Sequence, residues 1–526
     1  GMAIMNNSTD TVGLSMYYGI RGNHAHKDRL NVELFAHGKR ISPDLGYPDF
    51  TNATTPGRYA WTANTISHNT VAVDNIPQNG NDQGKVLRFH KGDGVQVVDV
   101  DASTSYLNTS KYRRTLVMVE VGNDAYVVDV FRVKGGGNHV LSLHGHEGSF
   151  SLTGTTLSAV NSTGTLAGPT VGYGASYSGA PGAPNYNTFA GGYSFLYNWQ
   201  NATPSGVVTG LWTHNDGSRL RVHVAPNADQ EVVVADARVS PLLVIPATVK
   251  YTLLRRMADA NGTTFVTVWE LAGSSIVTGN VEVSGEGALG VGADRTVVVR
   301  VPCGTRTDTI AIREAAGSTY EIEAGVTTDA AIAFVSRESG VLKKSFAAGG
   351  THLTASPDLT VPATLAGAIS SVNYAAKTLV ADVGDATVDA ASLVGRTVRI
   401  HNPLHNSVYL IGAASRSGTV LTLTLKDSEV FTGRIKMTLV DAPNKEVRTT
   451  TSTLYPDAMK GMYLVTQNHA YAARIETTIS YARYILNSAT DMAPFTAGLA
   501  AGEDCWIADF GVSDQIEIER FGQASY

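Results

Sequence analysis

Two histidines, His24 and His26, stand near the start of the chain in the polar stretch Gly22-Asn23-His24-Ala25-His26-Lys27-Asp28. In an extended segment, residues i and i+2 project to the same side, so both imidazoles can point into one site. The carboxylate of Asp44 follows after a predicted strand and turn, and His68 offers a further nitrogen donor. Neutral imidazoles and one carboxylate form a ligand set that zinc binds. Paired histidines are also common on solvated surfaces, so the spacing alone leaves both interpretations open.

The segments around these residues indicate an all-β fold. Apolar residues recur with a period near two, and Gly, Asn and Asp mark the turns between the runs. The chain has 53 glycines and only 16% charged residues, which is typical of sheets rather than helices. We predict a large antiparallel multi-sheet β-sandwich (a supersandwich) with a smaller C-terminal β-domain.

Composition shifts suggest where the chain divides. The Gly-, Ser- and Pro-rich residues 153–192 predict a long surface excursion rather than a domain. Gly349-Gly350 and the Pro-containing stretch that follows predict a boundary. We therefore expect a first domain at residues 1–350 and a C-terminal β-rich domain at residues 351–526.

Charge and cysteine content exclude several classes of function. The formal net charge is -6 and no long basic run is present, which argues against broad attraction to nucleic acid or to an anionic membrane. No apolar run approaches the roughly 18 residues that a membrane-spanning helix needs. Cys303 and Cys505 are too few for a disulfide framework, so two buried free thiols are expected.

The order of the motifs resembles the sheet domain of the heparinase II/III-like polysaccharide lyases, including the alginate and oligoalginate lyases. The resemblance covers most of residues 12–270 and depends on the succession of motifs, since no single one would suffice. These motifs are the His24 to Leu30 stretch, Asp44-Leu45-Gly46-Tyr47-Pro48, Trp61, Ser67-His68-Asn69-Thr70-Val71, Tyr112-Arg113-Arg114, Tyr126 to Gly136 and His139 to Gly145.

The resemblance implies a role for each residue of the candidate site. His26, Asp44 and His68 match the positions that hold zinc in the family, and His24 matches a histidine implicated in proton transfer at a uronate. Tyr59 matches a catalytic tyrosine of the alginate-cleaving members less securely, and an aromatic residue packed beside Trp61 is an equal alternative. The reaction that the resemblance implies is β-elimination at a uronic acid. Asp28 is expected to serve local structure.

Two other polar clusters allow more than one interpretation. The stretch His144-Gly145-His146-Glu147 could bind a second metal, although a sheet-edge role for His144 is the commoner outcome. Lys111-Tyr112-Arg113-Arg114 could hold a uronate carboxylate, or it could be a solvated or salt-bridged strand end.

The family's lyases also place an (α/α) toroid before the sheet domain, and no helical repeats of that kind are found in this sequence. Gly1 before Met2 is typical of a residue left by tag removal, so a longer natural protein could supply the toroid upstream. Otherwise the toroid lies on another chain, or this protein does not cleave sugar by the family's route. We expect the first, because the lyase-like strand pattern begins within about fifteen residues of Gly1. The expected partner is an acidic polysaccharide or oligosaccharide, and the expected location is periplasmic or secreted. Without the toroid, we expect this chain to be incomplete and inactive as a lyase.

Two functions from other classes are kept as alternatives. The same sandwich could be a non-catalytic carbohydrate-binding or scaffold module. A glycoside hydrolase would instead need two carboxylates about 5–10 Å apart, for which Asp28, Asp44 and Asp74 are available.

Overall fold

The computed structural model describes most of the chain as antiparallel sheet. The described residues are 1–20, 25–46, 58–80, 83–146, 148–175, 191–227, 229–238, 248–258, 260–272, 277–284, 296–426, 429–450 and 456–526. Within them the α-helix is α1 (Ala493–Ala500). No helix among these residues is long and apolar enough to cross a lipid bilayer.

The strands fall into two groups along the chain. Those before residue 280 are β1 (Met2–Asn6), β2 (Val12–Tyr17), β3 (Val32–Ala36), β4 (Lys39–Ser42), β5 (Val71–Val73), β6 (Lys85–Lys91), β7 (Val95–Asp101), β8 (Thr109–Val121), β9 (Asp124–Gly135), β10 (Asn138–His144), β11 (Ser149–Thr153), β12 (Leu196–Ala202), β13 (Val208–Thr213), β14 (Arg219–Val224), β15 (Glu231–Arg238), β16 (Thr248–Met257) and β17 (Thr263–Ala272). Those after it are β18 (Glu282–Ser284), β19 (Val297–Cys303), β20 (Arg306–Ile312), β21 (Tyr320–Glu323), β22 (Val326–Thr328), β23 (Ile332–Glu338), β24 (Val341–Ala348), β25 (His352–Thr354), β26 (Leu359–Thr360), β27 (Leu365–Asn373), β28 (Thr378–Asp382), β29 (Thr397–His401), β30 (Asn406–Ser417), β31 (Val420–Leu425), β32 (Phe431–Asp441), β33 (Glu446–Thr449), β34 (Tyr463–Thr466), β35 (Ala472–Ser480), β36 (Arg483–Leu486), β37 (Asp504–Ala508), β38 (Gln515–Ile518) and β39 (Phe521–Ser525).

An eight-stranded sheet, in the order β11-β13-β14-β17-β9-β8-β7-β6, lies at the centre of the sandwich. One face packs against the sheets β1-β2-β3-β4 and β12-β15-β16-β10-β5, where Leu116 and Phe131 are buried. The other face packs against the sheet β18-β19-β20-β23-β24-β39, where Val117 and Val130 are buried. Strands covered on both faces read as nearly continuous apolar runs, which explains the sequence Thr115-Leu-Val-Met-Val119 in β8.

Two closed barrels follow, and the segment that forms the second is inserted in the sequence between two strands of the first. The first is β27-β28-β31-β30-β29-β38 and the second is β32-β33-β36-β35-β34-β37. The second barrel begins and ends between β31 and β38, so it interrupts the first. The last strand, β39, then returns to the sandwich and pairs with β24, with Ala348 opposite Phe521. The C-terminal region therefore leaves the sandwich and comes back to it.

The predicted fold class is confirmed. The chain is all-β, with a large multi-sheet sandwich and β-barrels toward the C-terminus. The division at residue 350 stays a prediction. Of the expected excursion at residues 153–192, residues 176–190 lie outside the described part of the chain.

Candidate metal centre and active site

His68 is held rigidly at the end of a short helical turn, Thr65–Ser67. Its Nδ1 donates to the carbonyl of Asn64 at 2.7 Å, which leaves Nε2 as the free ligand atom. The hydroxyl of Tyr251 donates to the carbonyl of Ser67 at 2.9 Å and ties this turn to β16. The imidazole is completely buried, so its Nε2 has a fixed position.

Asp44 follows β4, and its two carboxylate oxygens make different contacts. Oδ1 accepts the backbone N–H of Gly46 at 2.6 Å, closing a tight turn around the carboxylate. Gly46 has a φ of +72°, a conformation that favours glycine. Oδ2 is thereby directed toward the histidines, and it lies 3.0 Å from Nε2 of His68.

The segment with His26 and Asp28 is bonded to the segment with His68. The backbone N–H of Lys27 donates to the carbonyl of Ala63 at 3.0 Å, and the Thr65 hydroxyl donates to the carbonyl of Lys27 at 2.7 Å. Both bonds are made by the backbone of Lys27, between His26 and Asp28, so the relative position of the two segments does not depend on the candidate ligands alone.

The structure brings together the three residues to which the sequence assigned a metal. Nδ1 of His26 lies 3.0 Å from Nε2 of His68 and 3.4 Å from Oδ2 of Asp44. With zinc bonds of about 2.0–2.1 Å and tetrahedral angles, neighbouring ligand atoms stand about 3.3 Å apart. The three observed separations, 3.0, 3.0 and 3.4 Å, fit one face of such a tetrahedron. The donor set therefore fits a single zinc ion.

Asp28 completes this group, although the sequence suggested only a structural role for it. One carboxylate oxygen of Asp28 lies with the ligand atoms of His26, Asp44 and His68, all within 4.8 Å of one another. Its Oδ1 is buried without a hydrogen-bond partner. A buried carboxylate oxygen without a partner is costly unless a cation or donor meets it. Asp28 is thus available as a fourth ligand.

The charges of the group are strongly coupled. Burial opposes protonation of His68, but the Asp44 carboxylate outweighs it and raises the pKa of His68 to about 9. Burial also opposes ionisation of Asp44, but His68 and His26 outweigh it and hold its pKa well below the usual range. Burial raises the pKa of Asp28. Without metal, a proton on His68 replaces part of the positive charge that zinc would bring.

Asn69 positions the site and was not identified from the sequence. Its Nδ2 donates to the carbonyl of Val32 at 2.9 Å and to the hydroxyl of Ser42 at 2.8 Å, and its Oδ1 accepts the N–H of His144 at 2.9 Å. These bonds join the residue that follows His68 to Ser42, which stands two positions before Asp44, and to the strands β3 and β10. The only sequence signal was that an amide follows His68 directly.

The remaining predicted site residues have separate outcomes. His24 and Glu147 lie outside the described residues. Tyr59 lies in the single helical turn Arg58–Thr62, and its side chain is outside the described part. His144 is buried and stacked on Tyr251 with ring centroids 4.7 Å apart. Burial lowers the pKa of His144 to about 4, so this imidazole is neutral at ordinary pH.

The basic stretch in β8 is salt-bridged. Arg113 binds Asp99 and Arg114 binds Asp129, each with a buried carboxylate. Lys111 pairs with Glu314. Of the two interpretations, the structure supports the salt-bridged strand over a free carboxylate-binding cluster.

Residues 10–238 match the family model described as heparinase II/III-like, C-terminal. This range contains His26, Asp28, Asp44 and His68, the four residues of the candidate metal site, which is called here the metal group. No curated protein matches the chain. The family resemblance inferred from the motifs is thereby confirmed.

Among solved structures, a heparinase III gene product is 15% identical with a TM-score of 0.42, covering 60% of this chain and 40% of that one. A heparan sulfate lyase HepC from Pedobacter heparinus is 13% identical with a TM-score of 0.38, covering 55% and 38%. A galactose mutarotase-like protein from Lactobacillus casei is 11% identical with a TM-score of 0.28, covering 52% and 100%. The chain spans about two fifths of the length of the heparinase structures that it matches.

Proposed function

We propose, from the match of residues 10–238 to the heparinase II/III-like C-terminal family, that the chain is the sheet portion of a polysaccharide lyase. Its substrate would be a uronic-acid-containing polysaccharide or oligosaccharide. The observation that supports this proposal best is the donor set of His26, Asp44 and His68, which lies inside the matched range and fits zinc.

In the proposed site, His26, Asp44 and His68 hold the zinc ion, with Asp28 in reach as a further ligand. The ion supplies positive charge that neutralises the ligand carboxylates and shapes the cleft. The hydrogen bond from His68 to Asn64 fixes the ring so that the same nitrogen always faces the ion. In this proposal, the residues that hold the ion determine the shape and the charge of the site.

The bond changes of the proposed reaction are those of β-elimination. A base takes the proton from C5 of the uronate, the pair of electrons forms the C4–C5 double bond, and the bond from C4 to the glycosidic oxygen breaks. A proton is then delivered to the leaving oxygen. His24 is proposed as the group that moves a proton at C5, because a histidine exchanges protons near neutral pH. Tyr59 is proposed to give the proton to the leaving oxygen, or to act as the base at C5 itself.

The uronate carboxylate must also be neutralised, since charge spreads into it as the C5 proton leaves. We propose that an upstream toroid domain supplies part of that function and much of the substrate cleft. The chain by itself would then bind metal but have little or no activity.

Metal analysis of the intact chain, purified without chelator, tests the site directly. We expect about one zinc per chain for the wild type and less than about a tenth of that for His68→Gln, because one of the two proposed nitrogen ligands is lost. His352→Gln is the matched control, since His352 lies in another sheet beside Asp329. Absence of zinc from the wild type, or equal loss in both variants, would reject the metal centre.

The reaction is tested with the full-length natural protein. Cleavage of a uronate polymer should create a conjugated 4,5-unsaturated uronate, which is detected by ultraviolet absorbance. Binding without any unsaturated product would favour the alternative of a non-catalytic carbohydrate-binding module. A hydrolase pairing through Asp74 has no support, because its Oδ1 accepts backbone N–H groups of Gly137 and Asn138 and its Oδ2 accepts from Asn108.

A further inference from the structure

An exposed arginine at the end of β15 stacks on two tyrosines. The guanidinium carbon of Arg238 lies 4.4 Å from the ring centroid of Tyr173 and 5.9 Å from that of Tyr197. The two tyrosine rings meet edge to face, with their centroids 5.5 Å apart. Aromatic faces attract a guanidinium and restrict its position, while its N–H groups remain able to donate hydrogen bonds. Arg238, Tyr173 and Tyr197 are called here the arginine platform.

The two tyrosines of the arginine platform are held in place by contacts of their own. Tyr173 belongs to the glycine-rich excursion, and the N–H of the next residue, Gly174, donates to the carbonyl of Ser194 at 3.0 Å. The ring of Tyr173 also packs edge to face on Phe195, with centroids 5.5 Å apart. Tyr197 lies in β12. The rings therefore form a preset surface, on which Tyr173 keeps 39% of its area exposed.

The positive charge of Arg238 has no anionic partner within the described part of the chain. Asp236 precedes Arg238 by two positions in β15, so it projects to the same side of the strand. Both of its oxygens are engaged elsewhere, Oδ1 with Nζ of Lys250 at 2.6 Å and Oδ2 with Nδ2 of Asn198 at 3.0 Å. The guanidinium therefore presents paired N–H donors that match the two oxygens of a carboxylate.

Hydrogen bonds connect Arg238 to the segment that carries His68. The carbonyl of Arg238 accepts Nε1 of Trp61 at 2.9 Å. Trp61 belongs to the turn Arg58–Thr62, and its carbonyl accepts the N–H of Asn64 at 2.7 Å. The carbonyl of Asn64 in turn accepts Nδ1 of His68 at 2.7 Å. Three hydrogen bonds along one short stretch of chain therefore link the arginine platform to the metal group.

The pairing of β15 with β16 places the arginine platform and the metal group at the same end of one sheet. Arg238 lies opposite Thr248, and Tyr251 is three residues farther along β16. Three residues of a strand span about 10 Å. The hydroxyl of Tyr251 donates to the carbonyl of Ser67, the residue before His68. A short oligosaccharide bound at the metal group could therefore reach Arg238.

We propose that the arginine platform binds the carboxylate of a second uronate, in the same polysaccharide chain as the uronate at the candidate active site. The inference rests on the proposed function and deepens it, because it names a residue that selects anionic chains. The guanidinium of Arg238 donates to the carboxylate, and the exposed part of Tyr173 offers apolar surface to the sugar ring. The glycine-rich stretch that contains Tyr173 thereby takes part in substrate binding.

Calorimetric titration of the intact chain with tetrasaccharides of alginate and of desulfated heparan tests the proposal. Arg238→Gln should weaken binding roughly tenfold, since one charge-assisted contact is lost. The matched control is Arg255→Gln, which removes the same charge from the neighbouring strand β16, where Arg255 pairs with Glu231. We expect the control to keep the wild-type Kd. Added salt should bring the Kd values of the wild type and Arg238→Gln together, because it screens the charge contact.

Three results would overturn the arginine platform. Equal Kd values for Arg238→Gln and Arg255→Gln would reject it while the proposed function stands. A loss in Arg238→Gln that is the same at low and high salt would show that the arginine supports the local fold rather than binding a carboxylate. Absence of binding to either tetrasaccharide by the wild type would also reject the platform. Formation of unsaturated product by the full-length natural protein then decides the proposed function separately.

Discussion

Arg114 and Asp129 form a buried, two-bonded ion pair, with Nε to Oδ1 at 3.0 Å and Nη2 to Oδ2 at 2.7 Å. The remaining Nη1 of Arg114 donates to the carbonyls of Leu30 at 2.6 Å and Asn69 at 2.5 Å. Leu30 follows Asp28 closely and Asn69 follows His68 directly. One guanidinium in the central sheet therefore holds the backbone of both segments that carry Asp28 and His68, two residues of the candidate metal site.

Leu30, whose carbonyl accepts the hydrogen bond from Arg114, has an unusual backbone conformation. Leu30 has a φ of +60°, in the left-handed region that non-glycine residues rarely adopt, and its side chain is completely buried. Such a conformation costs on the order of 1–3 kcal/mol and needs support from its surroundings. The bond from Arg114 supplies that support and keeps the turn after Asp28 in place.

Replacement of Arg114 by lysine should destabilise the fold and reduce zinc affinity together. Leaving Asp129 without its two-bonded partner should cost about 3–5 kcal/mol in the free energy of unfolding. Urea unfolding and zinc titration measure the two effects. Arg113→Lys is the matched control, because Arg113 pairs with Asp99 and donates to the carbonyl of Glu314, away from the metal group. Equal loss of zinc affinity in both variants would contradict the positioning role of Arg114.

Asp28→Asn should change the metal-free and the zinc-bound protein in opposite directions. An amide removes the negative charge of a carboxylate whose burial raises its pKa, so the metal-free protein should gain stability. Zinc affinity should fall by about 10- to 100-fold, as is usual when a ligand or its close partner is changed. Melting temperatures with and without zinc measure both signs. If the zinc-induced rise in melting temperature equals that of the wild type, Asp28 is not a ligand.

His223 should make the protein less stable in acid. Burial and the neighbouring Arg221 lower the pKa of His223 to about 4, against an ordinary value near 6.5. The neutral ring bonds to the hydroxyls of Thr209 at 2.9 Å and Thr278 at 3.2 Å. Because the unfolded chain binds the proton more readily, the stabilisation is complete above the unfolded pKa and is lost as the pH falls toward 4.

The loss contributed by His223 should be on the order of 2 kcal/mol between those two pH values. His223→Gln should flatten the decline, as measured by urea unfolding across that range. His352→Gln controls for the removal of a histidine at a more exposed position. An unchanged pH profile in His223→Gln would show that other groups cause the acid sensitivity.

Glu519 should be important for attachment of the barrels to the sandwich. Its Oε2 accepts Nε2 of His90 at 2.7 Å and its Oε1 accepts Nε of Arg88 at 3.1 Å. Glu519→Gln should lower the free energy of unfolding by about 1–3 kcal/mol, since both partners are largely buried. Glu282→Gln, which breaks the exposed pair with Arg300, should cost less than about 1 kcal/mol. Equal effects would mean that the Glu519 contacts contribute no more than a surface pair.

The residues of the candidate metal site could be named from the sequence because the succession of motifs resembles a known family, and their role as metal ligands stays a prediction. His26, Asp44 and His68 each stand beside a strand or turn that could be recognised, and the structure brings all three together. The supporting residues were not predictable in the same way. Asn69 and Arg114 act through strands distant in sequence, and an isolated amide or arginine gives no sign of the carbonyl that it will meet.

The barrels show a second limit of the same kind. Apolar alternation correctly indicated strands after residue 351, but alternation does not say which strand pairs with which. β27 closes its barrel with β38, pairing Leu365 with Ile518 across the entire second barrel. Such pairing joins residues far apart in the sequence, so no short stretch reveals it. One small module was therefore expected, whereas the structure has two barrels, the second inserted in the sequence of the first.

The return of β39 to β24 has a consequence for biosynthesis. Translation runs from the N-terminus, so the edge of β24 stays without its neighbour until Phe521–Ser525 has left the ribosome. An unpaired strand edge can recruit other chains. A product that ends before Phe521 would keep that edge open and be prone to self-association. The six-stranded sheet therefore cannot close until residues 521–525 have been synthesised.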